Sequence, residues 1–568
     1  MAVIAVAALA GYSSGFKGSF VFDDRSAIIE NAVIKNADSP EFLWRTPFNT
    51  TLSGRPVAQW TVAFNYALNG LKPFGYHVVN LLIHISCALI IFLFIRNAAA
   101  HVKPDTARDA GMFLPGFLTA LWWVVHPLTT QAVTYVIQRV ESLAALFYVL
   151  TLYCVQRSRG SRHRALWTGL SAVSCWLGTG VKEITATAPV AAVIYDRVFG
   201  FESLAAQFKR RWKLYAGLSF SWVLLAALVF SGTQREASAC SPLSGAEWLR
   251  LQAEVIAHYL KLVYYPAGQV FDYYTWPIPR INAALLAKAG GLALAVLACI
   301  AGIVRRRWYG FAGAVFFLVL APTSSVLPLI DEAAEYRMYL PLAVVIFLTV
   351  AAGRGIMSFQ FLRRNPALRV FAGSALLIVF VAVVSIHGYL TWQRNKVYHS
   401  PETLWRDTVV KRPANARAHM NLGEYLLKNG RRDEGIVCLE KALEAGYRPG
   451  LQAAARFNLA NHYFDDGNLE KALAHYTGAI QCDPCMGRAY ANRALVFLEK
   501  RKPLEAAQDQ AKALELVQND PLLHIQYAYT LLALGRKNEA VSQVRAARQA
   551  GGRPPADLVR RLRSSGKY

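Results

Sequence analysis

Long apolar runs broken by short charged segments fill the chain as far as about residue 389, and beyond residue 391 the pattern becomes that of ordinary amphipathic helices. A helix that crosses a bilayer needs about 20 mostly apolar residues. Runs of that kind cover 76–95, 214–230, 283–304, 311–330, 338–352 and 370–390, with shorter ones at 112–126, 140–155, 165–178 and 184–198. Residues 1–12 are apolar too and read as a first span with an abbreviated start. The alternative is a signal peptide cut near Ala8–Leu9–Ala10. The pattern therefore predicts an all-α chain: a polytopic membrane domain over 1–390 with about eleven spans, followed by a helical domain over 391–568.

Charge then sets an orientation. Arg157, Arg159, Arg162 and Arg164 form one tight basic loop, Lys209, Arg210, Arg211 and Lys213 another, Arg305–Arg306–Arg307 a third, and Arg363, Arg364 and Arg369 a fourth. Counting spans puts all four on one side, which is the cytoplasmic one, because insertion retains Lys and Arg in short loops there. Segments 16–75, 234–280 and 331–337 mix both signs and face outward, and so does the C-terminal domain.

That domain repeats. Leu422–Gly423, Leu459–Ala460, Arg493–Ala494 and Tyr527–Ala528 recur 34 to 37 residues apart, with Pro484 and Pro521 after second helices. A helix-turn-helix repeat of this length with a small residue at this point is a tetratricopeptide repeat, and stacks of them form an α-solenoid whose concave face binds proteins. Residues 402–412 read as the second helix of an earlier, partial repeat.

The chain is 54% hydrophobic and 17% charged, against about 25% charged in soluble domains. The net charge of +25 invites a nucleic-acid partner, but its distribution into membrane-flanking loops and solvated repeat faces argues against one. Eight scattered cysteines (Cys87, Cys154, Cys175, Cys240, Cys299, Cys438, Cys482 and Cys485) form no disulfide framework. Cys482 and Cys485 have metal or redox spacing, yet without a second pair a local disulfide is the better reading.

Candidate chemistry gathers at the outward ends of the spans. The first outward loop is about 60 residues long, more than a turn requires. It carries the adjacent carboxylates Asp23 and Asp24, and later Arg55. His126 closes one span, Arg139 and Glu141 open the next, Lys182–Glu183 joins two short ones, and Glu335 and Arg337 precede another. Each alone reads as a solvated or interfacial charge. Together on one face they suit a substrate with a phosphate and a nucleophile to activate. No cluster has convincing metal-ligand spacing, so the sequence establishes no cofactor requirement and leaves a divalent cation beside the acidic pair open.

The runs FVFDDRSAIIEN, SGRPVAQWTVAFNYALNGLKPFGYHVVNLLIH, QRVESLAALFYVLTLY, VKE and EYRMYLPLA, followed by repeats, resemble the transmembrane-and-tetratricopeptide protein O-mannosyltransferases and their bacterial relatives, glycosyltransferases of the GT-C class. The resemblance implies transfer of one sugar, mannose or similar, from a polyprenyl-phosphate carrier to a Ser or Thr hydroxyl of a protein held by the repeats, on the non-cytoplasmic side. It marks Asp23 and Asp24 as the catalytic motif. Asp23 would be the base and Asp24 would orient it or contact acceptor or cation. Arg55, Arg139, Lys182 and Arg337 would hold the lipid phosphate, with His126, Glu141, Glu183 and Glu335 in support, and back-side attack predicts inversion. The charge pattern favours a bacterial inner membrane with the site facing the periplasm. The rivals are a non-enzymatic envelope scaffold, a transporter of lipid-linked sugars, and a transferase acting on a lipid or glycan.

Overall fold

The computed structural model describes residues 1–568 except 36–41, 43–45, 48–49, 99–112, 201–202, 231–242, 326–327, 330, 358–359, 447, 518–519 and 564–568. Cys240 and parts of the expected outward segments 16–75, 234–280 and 331–337's flank lie outside the described residues. Everything regular that is described is helical, with no strand. The chain divides into two compact units, Met1–Asp407 and Thr408–Tyr568, where the sequence pattern put the division at 390/391. The difference arises because the last long helix does not stop with its apolar run. It continues to Lys396, and a further turn and the helix Pro401–Lys411 follow.

In the first unit, a helix stands at each expected run: Ala2–Tyr12, Pro73–Ala98, Phe113–Val124, Arg139–Gly160, Arg164–Thr179, Ala188–Phe199, Leu204–Phe230, Ala283–Val304, Trp308–Ser324, Tyr339–Ile356 and Pro366–Lys396. Six helical stretches among the described residues are long and apolar enough to cross a membrane: Pro73–Ala98, Val136–Gly160, Leu204–Phe230, Ala283–Val304, Glu335–Ile356 and Pro366–His399. This is the make-up of a multi-pass membrane protein. Asn282 and Asn365 cap two of these helices, accepting from the Leu285 and Leu368 amides. Such caps satisfy amides that a helix start otherwise leaves bare.

Helix Gly245–Tyr264, whose apolar stripe suggests interfacial anchoring, instead buries Trp248, Val255, Ile256, Tyr259 and Val263. Ser244 and Glu247 form a capping box at its start. Its Tyr259 hydroxyl donates to Ala334 O at 2.9 Å, and Gln252 donates to Glu332 O at 3.0 Å. The helix is a wall fixed to the 332–334 segment.

Among its described residues the second unit holds four helix pairs, Ala416–Lys428 with Arg432–Ala445, Pro449–Asp465 with Leu469–Cys482, Gly487–Glu499 with Pro503–Leu516, and Pro521–Ala533 with Lys537–Gln549, and then helix Ala556–Arg563. The small residue of each repeat has a packing cause. A Cβ on Gly423 would meet Leu439 Cγ at 2.8 Å, and Ala460, Ala494 and Ala528 are fully buried. Gly430, Gly467, Arg501 and Gly535 end the first helix of each pair with φ of +78°, +73°, +57° and +75°, the left-handed stop that favours glycine. Cys482 and Cys485 are free thiols here, not the local disulfide the spacing suggested.

Candidate active site

The first unit carries its polar chemistry where helices break. Between Ala2–Tyr12 and the rest, the chain makes a turn at 21–24 and a five-residue π turn, Arg25–Ile29, in which Glu30 N donates to Arg25 O at 2.8 Å. Such wide turns concentrate at functional sites. Phe22 takes φ +47°, a left-handed conformation that costs a residue with a side chain roughly 1–2 kcal/mol. The strain sits immediately before the acidic pair.

The two carboxylates have different surroundings. Asp24 is fully buried, and its oxygens accept from the Val21 amide at 2.9 Å and the Ile137 amide at 2.7 Å. Burial pushes its carboxyl up to about 8, while those amides and that of Val136 pull the other way. It clips the loop to the 136–138 turn. Asp23 is half-buried; its amide donates to the Tyr135 hydroxyl at 2.9 Å, and its Oδ2 accepts from the Thr51 hydroxyl at 3.1 Å. Burial and the two neighbouring carboxylates hold the Tyr135 phenol well above its ordinary range, so it stays protonated.

From Asp23 a chain of contacts runs to the cations. Arg55 Nη1 donates to Thr51 O at 3.0 Å, and its Nη2 lies 3.3 Å from Glu183 Oε2. This meeting is arranged by the backbone. Gly54 turns the chain with φ +68°, helix Pro56–Asn69 starts at once, and Val57 N donates to Gly180 O at 3.1 Å. Burial would raise the Glu183 carboxyl, but Arg55 and Lys182 outweigh it and hold it below its usual value. Beside it, Lys182 forms a buried ion pair with Glu141 and stands 5.1 Å above the Tyr336 ring. Arg337 follows, buried and within Coulombic reach of Glu141. Its Nη2 donates to Asp331 O at 2.6 Å, while its Nε and Nη1 are buried with no hydrogen-bond partner among the described residues. A buried guanidinium with open N–H groups is costly unless an anion completes it.

The other expected residues serve the scaffold. Arg139, fully buried, spends all three nitrogens on the protein: Nε on Asn80 Oδ1 at 2.6 Å, Nη1 on Thr61 O at 3.0 Å and Nη2 on Tyr76 O at 3.2 Å. In this way it ties helix starts together. His126 donates from Nε2 to Val263 O at 2.9 Å while its Nδ1 accepts from the Leu128 amide at 3.1 Å. It caps the 127–129 turn. Glu335 is buried and accepts from the Val270 amide at 2.6 Å, Tyr273 at 3.0 Å and Gln269 at 3.0 Å, anchoring the 269–273 strap.

The sequence reading missed Tyr135 and Thr51, and it gave Tyr336 no role. The signal for Tyr135 was a polar stretch (Thr129, Thr130, Gln131, Thr134, Gln138) between apolar runs, every member of which is buried. Among the described residues, no group of three His, Cys, Asp or Glu side chains is set to hold a metal ion.

The tetratricopeptide-repeat family model matches residues 421–485. Protein O-mannosyl-transferase TMTC3 of Homo sapiens is 25% identical to this chain, over 95% of the chain and 66% of its own length. TMTC3 of Mus musculus is 26% identical over 94% and 65%, and TMTC4 of Mus musculus 25% over 76% and 65%. The chain thus spans about two thirds of the length of these curated relatives. The similarity to protein O-mannosyl-transferases runs through both units.

Proposed function

We propose that this chain is a membrane glycosyltransferase that moves one sugar, mannose or similar, from a polyprenyl-phosphate carrier to a Ser or Thr hydroxyl of a protein, with inversion. The observation that carries the reading is the path from Asp23, a half-exposed and oriented carboxylate, to Arg337, a buried guanidinium whose Nε and Nη1 have no hydrogen-bond partner among the described residues. Similarity to proteins named as O-mannosyl-transferases supports the same reaction class.

The chemistry balances with these groups. The acceptor oxygen attacks the anomeric carbon and the carbon–oxygen bond to phosphate breaks. The hydroxyl proton goes to Asp23, and the leaving group is the polyprenyl phosphate monoester. A positioned base contributes typically about 10²–10⁴-fold. Phosphate is already a weak base, so no second carboxylic acid is needed. Arg337, Lys182 and Arg55 hold the growing charge on the leaving oxygens, the task to which guanidinium and ammonium groups in a dry site are suited. Glu141 and Glu183 keep the last two cations in place. The non-cytoplasmic location, periplasmic in a bacterial inner membrane, rests on the arginine-rich loops, and the repeats would present the protein acceptor.

The test compares, by intact mass and peptide sequencing, proteins exported from cells that carry the wild-type chain or Asp23→Asn. A hexose-sized addition on Ser or Thr seen only with wild type supports the reading. Equal modification by a folded Asp23→Asn protein overturns it, and no modification by either shifts the preference to a lipid acceptor or a membrane-anchored scaffold.

A further inference from the structure

The strained residue before Asp23 is gripped from the far end of the unit. Phe22 packs edge-to-face on Trp405, with centroids 5.3 Å apart, and on Phe271 at 6.0 Å; Trp405 also packs edge-to-face on Phe271 at 5.3 Å. Trp405 is 2% exposed. Tyr398 stands behind Phe271 at 6.0 Å and accepts the Ser19 amide on its carbonyl at 3.2 Å. The segment that carries these rings is itself fastened. His399 Nε2 bonds Ser14 O at 2.9 Å, Asn395 donates to Gly11 O at 3.1 Å, and Arg394 pairs with Asp407 at 2.6 Å. A left-handed phenylalanine persists only where its surroundings over-determine it. Here those surroundings are Trp405 and Phe271.

We propose that Trp405 is a positioning residue of the transfer reaction. It does not touch substrate. By holding Phe22 left-handed it keeps the Asp23 amide on Tyr135 and turns the Asp23 carboxylate toward Thr51 and the open side of the site. Phe271, itself held by a bond from Gln131 Nε2 to its carbonyl at 2.8 Å, is the opposite jaw. The inference rests on Asp23 being the base, but its geometric half is independent of that.

The experiment uses the full chain in lipid nanodiscs, as wild type, Trp405→Ala, Trp405→Phe, Asp23→Asn, Phe22→Gly and the Phe22→Gly/Trp405→Ala double variant. Hydrogen exchange reads the loop and sugar transfer reads the chemistry. In Trp405→Ala, exchange at residues 22–24 should rise at least tenfold while residues 127–138 stay within twofold. The kcat should fall 10- to 100-fold with KM for donor and acceptor within twofold, and Trp405→Phe should recover most of it. Glycine adopts positive φ without a clamp, so Trp405→Ala should cost less in the Phe22→Gly background than alone. Unchanged exchange at 22–24 in Trp405→Ala, equal losses in both backgrounds, or a loss expressed in KM would overturn the positioning role. Asp23→Asn separates the two ideas: if it stays active, the base assignment fails whatever the loop does, and if it is inactive while Trp405→Ala is normal, only the positioning role fails.

Discussion

The region around Asp23 and the repeat unit obey opposite rules. In the repeats each device recurs: a small residue where paired helices touch, a left-handed stop, a cap such as Asn415, Asn468 or Asp520. Around Asp23 nothing recurs. One carboxylate takes two amides and one tyrosine takes the third. Redundant interfaces add up approximately as nearest-neighbour terms, whereas a one-copy site loses its whole effect with a single member. Where a chain stops repeating itself and buries polar groups in irregular turns, function is the better explanation than stability.

The sharpest way to break this contrast is Asp23→Asn. It should lower sugar transfer by about 10²–10⁴-fold with an unchanged unfolding midpoint, measured as turnover of a lipid-linked donor. Next in size is the buried pair of Glu141 and Lys182, whose side chains are 3% and 7% exposed. Lys182→Met leaves Glu141 buried without its partner and should cost about 3–5 kcal/mol, while Glu141→Leu with Lys182→Met should return most of it; thermal unfolding in detergent decides. In the repeats, Gly423→Ala forces a Cβ to 2.8 Å from Leu439 Cγ and 2.9 Å from Gly435 O. It should cost about 1–3 kcal/mol, seen as faster hydrogen exchange confined to the helices around it, with donor-lipid binding unaltered.

The last prediction is a pH slope. The Asp24 carboxyl is raised to about 8 in the folded chain, against about 3.9 unfolded. The folded state therefore holds more protons between those values, and this contribution to stability is full below about pH 4 and lost as pH rises through about 8. Unfolding midpoints between pH 5 and pH 8.5 should decline less for Asp24→Asn than for wild type; parallel curves would mean that the amide bonds outweigh burial.

Much of this was legible in the pattern of residues. Helices stand at every apolar run because a long apolar stretch has few other options, and the repeat spacing marks a stack of helix pairs. The ends were less legible. Helix Leu204–Phe230 begins ten residues before its apolar run because a basic amphipathic turn joins it across a kink at Arg211. In the site, charges near span ends look alike in sequence. Arg139 and Arg337 both precede an apolar helix, yet among the described residues one meets three protein acceptors and the other meets one. Tyr135 and Thr51 reach Asp23 only through tertiary folding, 112 and 28 residues away along the chain. No local spacing could reveal them.

The clasp between the two ends of the first unit also bears on the order in which the protein is made. Its bonds join residues 384 and 385 positions apart. Translation at about 5–20 residues per second needs roughly 20–80 s to cover such a distance. The acidic turn leaves the ribosome first and must wait for its clasp until nearly all the apolar helices have been inserted. Completion of the site is thus a late event in biosynthesis, and a nascent chain halted before Trp405 would carry Asp23, Arg55, Lys182 and Arg337 without the clasp that holds Phe22.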